Sequence, residues 1–369
     1  MKITLVHYWL ESMRGGEKVL ENIIDVFPNS GIITNYYNEK KISRHLLKRI
    51  SKTSFIQDLP FVKLLYRHYL PLYPLALKRI KIKNSDLVIS SESGPAKGIQ
   101  VGDNIPHICY THTPMRYIWD MQEEYFGKGM KRMFLQPVIN YLRNWDYNSA
   151  QKLDCIIANS QYVKERIARF WKRESEVIYP PVDTNKFSIS KNISEYYLIF
   201  GQSTKYKRHD IAVKAFNENK RQLIIIGEGE ELPNLKSNAK KNITFLGRVE
   251  DNSLKKHLSK CKALIFPGIE DFGIVPVEAM ASGRPVIAFD RGGAKETIID
   301  KKTGLFFNEQ TPKSLNKKID EFESIAHSFD PGYIKKHSEK FDKEIFKNHF
   351  KKYVEDFVMN YKKNFLSNK

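Results

Sequence analysis

The sequence predicts an α/β protein of two Rossmann-like, doubly wound domains facing a central cleft. Three observations lead there. The chain has 369 residues, more than one ordinary core accommodates, so length favours two domains. Short β-branched runs alternate with helix-length segments from end to end. Within those runs polar and apolar residues do not alternate, which marks strands covered on both faces, as in parallel sheets.

Taken in order, the candidate strands of the first half are Lys2 to His7, Gly31 to Tyr36, Asp86 to Ser90, His107 to Thr111, Asp154 to Ala158 and Glu176 to Tyr179. Those of the second half are Tyr197 to Gly201, Gln222 to Gly227, Ile243 to Leu246, Ala263 to Pro267, Pro285 to Phe289 and Gly304 to Phe307. The intervening segments carry a helical period: Leu254, His257, Leu258 and Cys261 recur at i, i+3, i+4 and i+7, the stripe of a core-facing helix. Pro180 and Pro181 end a strand and polar residues follow, so the domains divide as 1–180 and 181–345. At the far end Phe346, Phe350, Tyr353, Phe357 and Tyr361 form an aromatic stripe at helical spacing. It predicts a terminal helix over 346–369 that packs back on the N-terminal domain.

Composition excludes several classes. A hydrophobic fraction of 41% supplies packed cores and rules out a disordered chain. The longest apolar runs, such as Leu223 to Gly227, fall far short of the roughly 18 residues a membrane-spanning helix needs. MKITLVHYWLE lacks a small-residue cleavage site and reads as a first strand rather than a signal peptide, so a cytoplasmic location is expected. Cys109, Cys155 and Cys261 stand far apart with no CxxC pattern, which predicts buried free thiols and no metal site.

The formal charge of +19 points to an anionic partner. Lys40 to Lys83 carries twelve Lys or Arg against one acid, Asp58. Within it, LPFVKLLYRHYLPLYPLALKRIKIK interleaves Tyr, Leu and Pro with basic residues, a composition suited to an anionic membrane surface. Arg67, Lys78, Arg79, Lys81 and Lys83 are the candidate contacts. A solvated basic face is the plain alternative, and a nucleic-acid partner is disfavoured because no nucleic-acid module is recognisable.

In open parallel sheets ligands bind at the carboxyl ends of the strands. After the run ending at Pro267 comes GIEDFGIVPVEAMASGRPVI, where Glu270 and Glu278 bracket Gly273. Pro276 suits the first turn of a helix, which places Glu278 in that turn and Glu270 in the loop before it. Gly273 permits close backbone approach, and the helix N-terminus behind it favours a phosphate. Two carboxylates there suit a sugar nucleotide, accepting hydrogen bonds from vicinal hydroxyls. On spacing alone an acidic cap and a solvated loop acid explain them equally well.

The segment from Glu270 through FGIVPVEAMASGRPVIA resembles the donor-site signature of glycosyltransferase family 4, retaining enzymes of the GT-B fold. Arg14, Gly15, Gly16, Glu17 and Lys18 resemble the family's glycine loop, and YLIFGQSTKYKRHDIAVKAF its phosphate-contacting strand and helix. FLGRV near Gly247 and RGGAKE near Gly293 also fit. HTPMRYIWD, from His112 to Asp120, is similar to bacterial mannosyltransferases that build O-antigen and related polysaccharides. The resemblance covers roughly residues 1 to 360.

It implies a set of roles. Glu270 would hold the donor sugar's hydroxyls and Glu278 the ribose. Lys207 would neutralise the diphosphate, lined by Gly15, Gly16 and the backbone near Phe272, Gly273 and Ile274. His112 would contact the sugar near the reacting carbon, and the segment around Val249 would receive the base. Gln202 stands where many members carry Arg, and Arg208 beside Lys207 could supply that charge. For His112 alone a satisfied strand-end histidine is the plainer reading. The implied activity is retaining transfer of a hexose, mannose from GDP-mannose, to a lipid-linked oligosaccharide, with the nucleotide sugar as substrate and no cofactor. Cations and a helix dipole aimed at the departing diphosphate would stabilise that transition state. No DxD-like pair or His/Cys cluster is placed to hold a metal. A sugar-nucleotide epimerase of the same fold is the rival enzyme.

Overall fold

The computed structural model describes residues 1–127 and 130–367. They divide into two compact units, Met1–Pro181 with the segment from Phe346 onward, and Val182–Ile345.

The first unit holds β1 (Ile3–His7), β2 (Gly31–Thr34), β3 (Ile50–Thr53), β4 (Leu87–Glu92), β5 (His107–Thr111), β6 (Cys155–Ala158) and β7 (Glu176–Val177). They form one sheet ordered β3-β2-β1-β4-β5-β6-β7, with parallel pairing throughout. Burial explains the unbroken apolar runs: Leu5, Ile89, Ile108 and Ile157 are all closed from solvent in one cluster, against Val19, Leu20, Ile23 and Ile24 of the Gly15–Val26 helix. β3 escapes the sequence reading. It is an edge strand, ISKT, whose two central side chains are exposed, so it has no apolar signature. Lys81–Ile82 and Gln100–Val101 add a small two-stranded sheet that was likewise unread.

The Lys343–Ser367 helix sends Phe346, Phe350, Val354 and Val358 into this core. Phe346 and Phe350 stack at 5.4 Å, and Tyr110 meets Phe350 edge-on at 6.0 Å. Tyr353 and Phe357 flank that row rather than head it. The Tyr353 hydroxyl meets the Cys155 sulfur at 3.1 Å. All three cysteines are buried and free.

The second unit holds β8 (Tyr196–Phe200), β9 (Gln222–Ile226), β10 (Ile243–Gly247), β11 (Leu264–Phe266), β12 (Val286–Phe289) and β13 (Gly304–Phe307). The sheet order is β10-β9-β8-β11-β12-β13, again parallel. This order reverses between β8 and β11. In open parallel sheets the loops leaving the two strands at such a reversal are where a ligand binds. Among the described residues no helix is long and apolar enough to cross a membrane.

Candidate functional site

In the second unit the loops after β8 and β11 meet. Gly268 is packed so closely that a β-carbon on it would lie 2.7 Å from the Lys207 Cα. This contact sets Lys207 beside the loop carrying Glu270, and the Lys207 ammonium sits 2.9 Å from the Glu270 carboxylate. The Gly293 N–H donates to the Glu270 carbonyl at 2.9 Å, fixing the loop from the other side. Neither charged side chain is fully enclosed: Lys207 is 14% and Glu270 19% exposed. The pair is therefore held in place yet open to a polar ligand.

Gly273 follows with φ 89°, a left-handed conformation that favours glycine. It caps the Ile274–Ala281 helix. That start corrects the sequence reading of Glu278. Pro276 is the third helical residue, its missing N–H falling among the first four that lack intrahelical partners. Glu278 is the fifth, in the second turn, and buried. The Phe272 side chain is anchored against Phe341 at 5.5 Å, so its backbone, with Gly273 and Ile274, forms the helix entrance.

Gln202 follows Gly201 at the end of β8 and is half-buried. Arg208 is left-handed, with φ 53°, and its guanidinium engages Asp210 at 3.1 Å. It thus already has a carboxylate partner. His209 is buried, with Nδ1 3.1 Å from the Ser203 hydroxyl. Burial, then the Lys207 charge, pushes its pKa down to about 3. Val249 lies half-buried in the loop between β10 and the Asp251–Lys260 helix.

In the first unit Gly15 and Gly16 open the helix after β1. A β-carbon on Gly16 would sit 3.5 Å from both His112 Nε2 and the Tyr8 hydroxyl, so the glycine loop and His112 are neighbours. His112 follows β5, gives its N–H to the Glu92 carbonyl at 2.7 Å, and places Nε2 2.9 Å from the Ser91 hydroxyl. Burial pushes its pKa down to about 4, so the ring is neutral at physiological pH. Glu17 accepts the Arg14 N–H at 3.0 Å, and burial pushes its carboxyl up to about 7. The rest of HTPMRYIWD is tied down by Arg143, which donates to the Ile118 and Trp119 carbonyls, and by Arg166, which pairs with Asp120.

Arg67, Lys78, Arg79, Lys81 and Lys83 are all exposed. The same segment also exposes apolar side chains, Phe61 at 75% and Leu64 at 76%, with Leu72 and Leu75 less so. The sequence alone did not separate these from Tyr66, Tyr73 and Leu77, which are buried. Among the described residues no three His, Cys, Asp or Glu side chains gather in a metal-binding cluster.

Two parallel-sheet units, the second with its strand order reversing at loops that carry a cation and a helix entrance, define the GT-B class. The comparisons agree. Residues 26–186 match the family described as Glycosyltransferase Family 4, and residues 182–345 match Glycosyl transferases group 1. The chain is 30% identical over 204 residues to the O-antigen chain mannosyltransferase RfbU of Salmonella typhimurium, covering 52% of this chain and 57% of that protein. It is 26% identical over 231 residues to the alpha-1,3/1,6-mannosyltransferase ALG2 of Homo sapiens, covering 52% and 54%. The alignments thus span about half the length of these curated relatives. Among solved structures, Anabaena Alr3699/HepE in complex with UDP superposes with a TM-score of 0.72 at 16% identity, covering 96% of this chain and all of that one. The chain belongs to glycosyltransferase family 4.

Proposed function

We propose that this protein is a retaining glycosyltransferase that moves a hexose, mannose from GDP-mannose, onto a lipid-linked oligosaccharide at an anionic membrane surface. The observation that carries the reading is the Lys207–Glu270 pair beside the Gly273 helix entrance. A diphosphate at that entrance would meet backbone N–H groups and the positive end of the helix dipole. It would also draw the Lys207 ammonium away from Glu270, freeing the carboxylate to accept the sugar's hydroxyls. Lys207 then stabilises the charge that grows on the leaving diphosphate, with no divalent ion assigned to that task.

The relatives named as mannosyltransferases support mannose, and HepE, solved with UDP, supports a nucleotide-sugar donor. Glu278 is assigned to the ribose, Val249 to the base, and His112 with Gly15 and Gly16 to the sugar and phosphates. The exposed basic and apolar residues between Phe61 and Lys83 are assigned to the lipid surface and support a reading in which the protein works at the cytoplasmic face of the membrane. Isothermal calorimetry with GDP-, UDP- and ADP-sugars tests the donor: GDP-mannose should bind most tightly, and preference for an ADP- or UDP-sugar would overturn that assignment. Interconversion of the free nucleotide sugar without acceptor would favour an epimerase.

A further inference from the structure

Glu92, Lys97 and Asp146 form a charge cluster in the first unit that no role above uses. Their side chains are 0–1% exposed. The Lys97 ammonium lies 2.8 Å from Glu92 and also pairs with Asp146. The other Asp146 oxygen accepts the indole N–H groups of Trp119 at 2.8 Å and Trp171 at 2.7 Å. Such a cluster is weak evidence for stability, because well-packed apolar residues often do as well or better in its place. Its connections are more informative. Glu92 belongs to β4, and its carbonyl receives the His112 N–H. Trp119 lies seven residues after His112, near the other end of the same segment. Lys97 thus joins the two carboxylate-bearing residues that hold the segment's start and its end.

We infer that Lys97, with Glu92 and Asp146, is a positioning device that sets the His112–Trp119 segment, and through it the placement of the His112 imidazole. The inference rests on the reading that His112 contacts the donor sugar. These residues touch no substrate; they act through His112. The geometry selects lysine because its ammonium must bridge two carboxylates while lying over the face of the Trp171 ring, 4.3 Å from the centroid. A neutral residue there would leave both acids buried without a cation, and one would take up a proton or turn away.

The test uses the full chain. Lys97→Met and Trp119→Phe are compared with wild type for GDP-mannose turnover, and the His112 ring nitrogens are followed by NMR of histidine-labelled protein without substrate. Trp119→Phe keeps an aromatic ring beside Phe170, with which Trp119 stacks at 5.0 Å, and removes the indole N–H together with the bulk of the second ring. Lys97→Met should lower kcat at least tenfold, and Trp119→Phe about fivefold, with the donor KM within twofold. The His112 signals should shift in both, and Lys97→Arg should recover part of the kcat. If Lys97→Met fails to fold, Trp119→Phe carries the test. Folded variants with unmoved His112 signals and wild-type kcat would overturn the inference. Wild-type protein that turns over no nucleotide sugar would sink the transfer reading instead, and the His112 signals would still decide the positioning claim.

Discussion

Lys207→Ala probes the proposed leaving-group site most sharply. The ammonium is 2.9 Å from Glu270, in surroundings that leave the two side chains 14% and 19% exposed, so solvent screens it only partly. Opposite unit charges about 4 Å apart attract by about 4 kcal/mol at an effective dielectric of about 20. A departing diphosphate at that distance from Lys207 would forfeit most of this in the variant. Removing one preorganised donor at a developing charge typically lowers kcat by about 10²–10³-fold, about 2.7–4 kcal/mol. The effect on folding should be much smaller, about 1 kcal/mol or less, since partly exposed pairs contribute little. Single-turnover hydrolysis of donor with GDP release followed by chromatography, alongside a thermal melt, separates the two. Lys207→Arg should retain more activity than Lys207→Ala. The double variant with Glu270→Ala should cost less than the sum of the single losses, because the residues act as one unit. A folded Lys207→Ala protein with kcat within threefold of wild type would show that Lys207 does not stabilise the leaving group.

Glu270→Ala should chiefly lower kcat and Glu278→Ala chiefly weaken nucleotide binding; full turnover in a folded Glu270→Ala variant would remove Glu270 from the site. Transfer should persist in EDTA, and activity lost there and restored by magnesium or manganese would show that Lys207 does not suffice. The protein should cosediment with vesicles rich in anionic lipid and detach in large part as salt shortens the Debye length. The exposed Phe61 and Leu64 should leave a salt-resistant fraction that a Phe61→Ser, Leu64→Ser variant loses; equal binding to neutral vesicles would contradict the basic residues' role. Burial pushes His7, His107 and His209 down to about 3 and His112 to about 4. The unfolded chain therefore binds the extra protons, and stability falls as pH drops below about 6.5, by up to about 1.4 kcal/mol per pH unit for each group. Glu17 and Glu92, pushed up to about 7 by burial, act oppositely between about 4.5 and 7, but they are two against four. Melting temperature should fall from pH 7.5 to 5.5, and a flat profile would count against this balance.

The fold was legible because strands of a parallel sheet are buried on both faces and write unbroken apolar runs; Gln222–Ile226 and Val286–Phe289 are examples. Ile50–Thr53 is an edge strand with both central side chains exposed, so it carries no such signal and the basic residues around it read as a charged loop. Pro276 does lie in the first turn, but left-handed Gly273 starts the helix at Ile274, so Glu278 falls just past that turn, at the fifth helical position. The Lys207–Glu270 pair joins residues 63 positions apart, and no local pattern announces it. Lys97 was illegible for the same reason: one lysine between Pro95 and Gly98 reads as solvated until the sheet brings Glu92 and the distant Asp146 to it.

The central claim is that the strand-end site of the second unit activates a nucleotide sugar. Phosphorus NMR of GDP-mannose incubated with the purified chain, in parallel with Lys207→Ala, tests it directly. The wild-type protein should release GDP slowly, and the variant should lose about 10²-fold or more of that rate. Wild-type protein that leaves GDP-, UDP- and ADP-sugars all intact, or turnover that ignores the loss of Lys207, would contradict it.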